Sequence, residues 1–542
     1  MSYKLLKRLR VVISLIFLVL LGVFFLDFAE LFPPKFITGV MFLQFVPSVL
    51  KFFNVFSLVA TGFIVILILT FLFGRVYCST ICPLGILQDV IIYLKRKFQK
   101  KKRYKFKFLK PVPWLRYSFV ALTVAFLFGG SILILALLDP YSLFGRIASD
   151  LFRPALSAVN NLVADVLNSF DVYGLYKISV KSIHFEVLII PIIFLGLVLW
   201  MSLTKGRLYC NTVCPVGTFL GLISKVSLFK IELDEKTCTK CSLCEKACKG
   251  GCIDYKNLYV DFSRCVGCFN CVAVCPFSSA NFVLNDIYKS GNTKRATRSD
   301  SPVENQKDVA SETSETQKHD AGKRKFLGGL ILAVFGLSKF AKAQELVSYN
   351  ATKPVKRKNP ISPPGAQTTE RFNDACTACH LCVNVCPSDV LQPAVLEYGL
   401  RGLMQPRLDN HVGFCNYECT LCGEVCPTGA ILPLSTEDKK LTQLGKAQFV
   451  KENCIVETEG TDCGSCAEHC PTKAVRMVDY KNNLRIPEVN DEICIGCGAC
   501  EYACPTHPYK AIYVEGNPVH LRAKKPEQEK VKKVEHEDDF PF

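Results

Sequence analysis

Histidine is scarce in this chain: 8 among 542 residues, beside 2 tryptophans and 5 methionines. Two haems b stacked across a bilayer would need about four histidines inside helices. Only His184 lies near a long apolar run, so a dihaem cytochrome b is excluded. No Gly-x-Gly-x-x-Gly follows a strand-like run and there is no phosphate-binding P-loop, so flavin and nucleotide fingerprints are missing. Nothing in the sequence marks turnover of a soluble substrate by the chain itself. The 29 cysteines do not make a disulfide scaffold, because they sit in tight metal-type spacings within a long chain. The net charge of +17 does not point to nucleic acid. Much of it lies in basic blocks flanking apolar runs, where it orients a membrane protein.

What is present is a mixture of greasy segments and polar domains, with a mean hydropathy of +0.24. Four apolar runs, 11–26, 55–73, 117–138 and 187–203, each approach the length needed to span the hydrocarbon core. A fifth stretch, 36–48, is too short and is expected at the interface. Lys4, Lys7, Arg8 and Arg10 precede the first run, and the loop 74–116 holds twelve Lys or Arg, whereas 139–186 holds four. The positive-inside rule therefore places the N-terminus, the 74–116 loop and the residues just after 203 in the cytoplasm.

Two of the runs end in the same phrase: GRVYCSTICPLG from Gly74 and GRLYCNTVCPVG from Gly206. This is an internal repeat on the cytoplasmic side. Cysteines at i and i+4 share a helix face, so two such ends meeting across a pseudo-twofold axis would gather Cys78, Cys82, Cys210 and Cys214. Four thiolates are the ligand set of an iron–sulfur cluster. A redox-active dithiol centre is the alternative, and a helix end shaped by small residues and proline is the bland one. His184 sits where a quinol headgroup could give up a proton, although an interfacial histidine needs no such role.

The remaining cysteines fall into ferredoxin runs. Cys238, Cys241, Cys244 and Cys248 have Cys-x2-Cys-x2-Cys-x3-Cys spacing, and Cys265, Cys268, Cys271 and Cys275 repeat it before Pro276. In this two-cluster pattern three sulfurs on one tight loop wrap a 4Fe–4S cubane, and the fourth cysteine of each run ligates the other cluster. Four more runs follow: Cys376, Cys379, Cys382, Cys386; Cys415, Cys419, Cys422, Cys426; Cys454, Cys463, Cys466, Cys470; and Cys494, Cys497, Cys500, Cys504. Six 4Fe–4S clusters are expected, with one further iron–sulfur centre at the repeated pairs. Cys252 is left over and reads as a packing thiol. Cys376-Thr-Ala-Cys379-His380 also fits a haem-attachment signature, but haem would orphan Cys382 and Cys386, so His380 reads as a loop residue tuning a cluster.

Between the halves, 288–322 is polar and reads as a disordered linker. Residues 323–344 carry a basic start, a short apolar core and Ala341-Lys342-Ala343, as in a signal peptide. Lys323-Arg324-Lys325-Phe326-Leu327 is similar to a twin-arginine export signal, with Lys in place of the first Arg. A domain with oxygen-sensitive clusters, assembled in the cytoplasm, would need export in the folded state. The alternative is a surface helix that leaves the C-terminal half inside. The expected fold is thus α-helical in the membrane, with four transmembrane helices and a short signal or anchor helix, joined to α+β bacterial-ferredoxin-like 4Fe–4S domains. Its divisions are a membrane domain at 1–230, a cytoplasmic two-cluster ferredoxin at 231–287, the linker at 288–322, the signal or anchor at 323–344, a four-cluster domain at 345–520 and a charged tail at 521–542.

On these residues, the first 285 positions resemble the membrane quinol dehydrogenase of periplasmic nitrate reductase systems, the NapH type. Residues from about 320 onward resemble its periplasmic partner, the NapG type. The resemblance implies a fusion in a bacterial inner membrane. Quinol would be the electron donor and a periplasmic reductase or cytochrome the acceptor. It also implies that the four C-terminal runs exchange fourth cysteines first-with-last and second-with-third. Similar membrane halves occur in nitrous oxide reduction and in oxidase assembly. Two alternatives stay open: a conduit fed by a cytoplasmic flavodoxin or ferredoxin docked on the basic surface, and a metal-handling factor binding copper at the repeated pairs.

Overall fold

The computed structural model describes residues 3–27, 32–55, 61–98, 106–178, 185–285 and 352–525. The expected linker, the signal or anchor segment, His184 and tail residues 526–542 lie outside the described residues.

The first apolar run belongs to helix α1 (Tyr3–Leu26), about 36 Å long at 1.5 Å per residue. After it come α2 (Pro34–Met41) and α3 (Phe45–Val55), bent by 106° at their junction. This pair covers the stretch expected to lie at the interface. The second run yields α4 (Gly62–Phe73), which leads through a one-turn helix, α5 (Tyr77–Thr80), to α6 (Pro83–Phe98). The third run is not one helix: α7 (Pro113–Phe128) stops at Gly129-Gly130, where Gly130 takes φ +66°, and α8 (Leu133–Leu138) restarts the chain. A left-handed glycine terminates a helix at little steric cost.

The segment 139–186, expected to be a loop, holds α9 (Pro140–Arg146), a π-helical turn (Ile147–Phe152) and α10 (Arg153–Asn168). Pro140 occupies the first helical position and the Asp139 carboxylate accepts from Ser142 N at 2.8 Å, a standard start signal. The fourth run becomes α11 (Phe185–Lys205), followed by α12 (Leu208–Thr212) and α13 (Pro215–Ser224). Where four continuous spans are expected, the described residues contain two helices long and apolar enough to cross a membrane, α1 and α11, or three if the bent pair counts as one. Hydropathy integrates composition along the chain and does not register the break at Gly129-Gly130.

Two folded units pack on this helical body. In residues 229–285, β1 (Phe229–Leu233) pairs antiparallel with β4 (Ala280–Leu284), and β2 (Ile253–Asp254) pairs with β3 (Tyr259–Val260). Short helices Leu243–Ala247 and Asn270–Val274 carry the third cysteine of each run. In residues 352–525, hairpins Leu391–Pro393 with Pro406–Leu408 and Val475–Asp479 with Arg485–Val489 each close one half. A longer pair, Thr442–Phe449 with Ile512–Arg522, joins the halves.

The helical body and the C-terminal unit share one apolar core, which runs from Leu21, Phe24 and Phe25 through Tyr141 and Phe144 to Cys379, Leu381 and Val425. The approach is close: a Cβ at Gly145 would collide with the Cys379 carbonyl and the Phe25 ring.

Glu501 anchors the C-terminal unit. Its side chain is 1% exposed, and it accepts from Asn410 Nδ2 at 3.0 Å and Val514 N at 2.9 Å while pairing with Arg357. A buried charge with three partners is costly to break from one side. Glu501→Ala is expected to destabilise this unit by about 3 kcal/mol, read as faster amide exchange along Ile512–Arg522, with Glu501→Gln losing less.

Candidate redox centres

The repeated phrase builds one site from both copies. Cys78 lies in α5 and Cys82 precedes Pro83 at the start of α6; Cys210 lies in α12 and Cys214 precedes Pro215 at the start of α13. All four are buried, and Cys82 is within electrostatic reach of Cys210, Cys78 and Cys214. The two copies are locked by a crossed exchange. Arg75 Nη2 donates to the Cys210 carbonyl at 2.9 Å, and Arg207 Nη1 donates to the Cys78 carbonyl at 2.6 Å. A Cβ at Gly85 or at Gly217 would collide with the carbonyl of Cys78 or Cys210, so each copy needs its second glycine. Gln88 Nε2 points at Cys210 Sγ at 3.4 Å and Gly217 N donates to Cys214 Sγ at 3.2 Å. The four expected thiols are therefore brought together. Two buried guanidiniums stand ready to offset the charge of thiolates or of a cluster.

A carboxylate that sequence reasoning missed completes this region. Asp89 of α6, outside the long apolar helices α1 and α11, meets Arg207 at 2.8 Å, Lys249 at 3.2 Å and Arg10 at 3.3 Å. Burial alone would raise its carboxyl, but Arg207, Lys249 and Arg10 hold it well below the usual carboxylate range. No local signal marked Asp89, because its partners come from three distant parts of the chain.

In residues 229–285, Cys265, Cys268 and Cys271 share a small cavity with Cys248, the crossed arrangement expected for two-cluster ferredoxins. Cys252 lies on the rim of this group, with its sulfur 3.5 Å from Cys248 Sγ and hydrogen-bonded also to Cys265. That bond lowers the Cys248 thiol to about 7 against the effect of burial. The group adjoins the four-thiol site: Asn211 Nδ2 donates to Gly250 O at 3.0 Å, Arg75 Nη1 donates to Ser263 O at 3.1 Å, and Arg207 feels both Cys210 and Cys268.

The C-terminal unit gathers four groups. Cys376, Cys379 and Cys382 surround themselves with Cys426; Cys415, Cys419 and Cys422 with Cys386. Cys454, Cys463 and Cys466 line a cavity with Cys504, and Cys494, Cys497 and Cys500 neighbour Cys470. Fourth cysteines thus cross first-with-second and third-with-fourth, which corrects the first-with-last expectation. The physical reason is local: each pair of runs is closed by its own hairpin.

The loops explain why this spacing suits a cluster. In four runs the residues on either side of the second cysteine take positive φ: Lys240 and Ser242, Gly267 and Phe269, Ala378 and His380, Gly496 and Gly498. Successive turns of this kind aim backbone N–H groups inward. Ala378 N bonds the Cys376 sulfur, and Ala499 N bonds the Cys497 sulfur. Burial pushes Cys379, Cys466 and Cys497 up to about 12, so bound metal is what would make them thiolates at neutral pH. Among the described residues no three Cys, His, Asp or Glu side chains stand close enough to share one metal ion. Thiols that take separate iron atoms of one cluster stand farther apart than ligands of a single ion.

His380 is fully buried and bridges the two parts of the molecule. Nε2 donates to the Met404 carbonyl at 2.8 Å and Nδ1 faces Asp150 Oδ1 of the π turn at 2.9 Å.

Asp89 yields a prediction with a definite sign. Its folded-state pKa is depressed, so the stability it contributes is present above the unfolded carboxylate value of about 4 and is lost as pH falls below that. Asp89→Asn is expected to cost about 3 kcal/mol at pH 7 and to flatten this acid limb, measured as melting temperature against pH in detergent.

Known sequence families match several of these segments. A family described as a 4Fe-4S binding domain matches 56–101 and 187–233, the two copies of the repeat. Another of that description matches 265–279, and 4Fe-4S dicluster domains match 369–431 and 461–507. The methylamine utilization ferredoxin-type protein MauM of Methylophilus methylotrophus is 33% identical over 165 residues, 28% of this chain and 70% of that protein. The ferredoxin-type protein NapG of Escherichia coli is 31% identical over 201 residues, 35% of this chain and 84% of its own length. NapF of the same organism is 27% identical over 165 residues, 30% of this chain and 90% of that protein. No solved structure matches. With several 4Fe–4S domains and relatives of this kind, the chain belongs to the ferredoxin-type protein family of NapG and MauM and is an iron–sulfur electron-transfer protein.

Proposed function

We propose that this chain is a multi-pass membrane component that oxidises quinol and passes the electrons through 4Fe–4S clusters to a periplasmic reductase. In this reading the six ferredoxin runs hold six clusters, with ligands exchanged as their side chains are grouped, and Cys78, Cys82, Cys210 and Cys214 hold one further iron–sulfur centre. The N-terminus and residues 231–287 face the cytoplasm, and the C-terminal unit faces the periplasm. NapG-type proteins supply the analogy for the acceptor. One observation carries the quinol assignment: the loop bearing Cys379 is built into the same apolar core as α1 and α9. A donor dissolved in the hydrocarbon phase can thereby come within reach of a cluster without crossing water.

A second reading is favoured by a different observation. Arg207 lies against both the four-thiol site and the Cys268 group, and Tyr209, next to Cys210, donates to the Leu138 carbonyl at 3.0 Å on the side of the C-terminal unit. Electrons from a cytoplasmic donor could follow that line outward.

The discriminating experiment is anaerobic. Reduced short-chain quinol added to the purified full chain is expected to bleach the visible iron–sulfur absorbance. Bleaching by dithionite alone would overturn quinol oxidation in favour of the cytoplasmic donor. Replacing Cys78 and Cys214 together by serine is expected to stop electron exchange between the clusters of 231–287 and those of the C-terminal unit, while the latter stay reducible by quinol. Unimpaired exchange in that variant would remove the four-thiol site from the path.

A further inference from the structure

A cavity of about 420 Å³ lies where the C-terminal unit meets the helical body. Its size is that of a small-molecule site. The apolar wall comes from Phe24 at the end of α1, Ile37 of α2, and Val187 and Leu188 at the start of α11. The opposite wall is the loop from Val383 to Pro387, which includes Cys386. A flat ring entering from the lipid side would thus lie between membrane-type side chains and a cysteine of the Cys415 group.

The polar part of the lining is almost fully engaged. Arg153 donates through Nη1 to the Asn384 carbonyl and Oδ1, both at 2.9 Å, and through Nη2 to the Asp27 carbonyl at 3.4 Å. Asn384 Nδ2 donates to Ser149 Oγ at 2.5 Å, and Ser157 Oγ donates to the Arg153 carbonyl at 3.0 Å. Asp150 is different. Its side chain is 8% exposed, one oxygen faces His380 Nδ1, and the other, Oδ2, has no hydrogen-bond partner among the described residues. An unpartnered carboxylate oxygen at a buried site is expensive unless a ligand supplies the donor. Asp150 also sits in the π-helical turn, a distortion found frequently at functional sites.

We propose that this cavity is the quinol site and that the Asp150 carboxylate in its wall accepts the hydrogen bond and then the proton of a quinol hydroxyl. The inference rests on the quinol reading above and adds to it the place of entry, the junction with the C-terminal unit. The reaction balances as follows. Both O–H bonds of the quinol break and quinone is left. The two electrons pass singly to two oxidised 4Fe–4S clusters of the C-terminal unit. The two protons pass in turn to Asp150 and from it to solvent. His380 is a positioning residue, because the contact of its Nδ1 with Oδ1 fixes the Asp150 carboxylate at the cavity wall. Its Nε2–H is committed to the Met404 carbonyl, which can only accept.

The test uses the full-length, cluster-loaded chain in detergent with a photoactivatable azidoquinone. Crosslinks are expected on peptides containing 149–157 or 383–393. Asp150→Asn is expected to slow bleaching by quinol about 100-fold, and Ser157→Trp, which fills the cavity, to abolish crosslinking. Bleaching by dithionite is expected to stay unchanged in both. Crosslinks elsewhere, or wild-type quinol rates in both variants, would overturn this site while leaving quinol oxidation intact. A wild-type chain that quinol neither bleaches nor labels would overturn both readings. Should a variant fail to fold, the wild-type crosslink map alone decides.

Discussion

Placing four cysteines in an apolar core poses a charge problem, and the crossed contacts of Arg75 and Arg207 are its solution. Each guanidinium leaves its own copy of the repeat and binds the backbone of the other, so neither half of the site can form alone. The cations that balance sulfur must themselves be balanced, which brings in Asp89, and Asp89 in turn ties down Arg10 of α1 and Lys249 of the first ferredoxin unit. One electrostatic constraint thereby fixes the position of α1, of both hairpins and of the neighbouring cluster group. Buried ion networks of this kind contribute little net stability but set geometry.

The groups of cysteines also have an order. From the helical body, the Cys379 group comes first, because its loop forms part of the shared core. The Cys386–Cys415 group follows through the crossed fourth cysteines. Cys415 N then donates to the Cys497 carbonyl at 2.9 Å, joining the two halves of the C-terminal unit. The Cys454 group lies at the far end, coupled to the Cys494 group by the exchange of Cys470 and Cys504. A linear series is what sequential hairpin-closed pairs produce.

Much of this was legible in the sequence, and the reasons for the rest are physical. Cysteine spacing is a local constraint imposed by cluster size, so the runs could be read directly, and the repeat could be read as a shared site because both copies keep Gly, Arg, Tyr, Cys and Pro. The exchange partners in the C-terminal half are tertiary facts, and analogy misassigned them. Asp89 and Asp150 carry no local pattern at all; each becomes notable only when a remote segment packs against it. The broken third run and the helices at 140–168 show a different limit. Apolar content measures affinity for lipid, whereas helix continuity turns on single residues such as Gly130 and on caps such as Asp139.

The length of α1 has a mechanical side. Arg10 is bound at the level of the four-thiol site and Phe25 is packed at the level of the Cys379 loop, fifteen residues or about 22 Å further along one uninterrupted helix. An α-helix hardly stretches, so this rod acts as a spacer between the four-thiol site and the Cys379 loop. In the membrane reading proposed above, a bilayer that thins or thickens would be met by tilting of the whole body, leaving the internal spacing, and any electron-transfer rate that depends on it, unchanged.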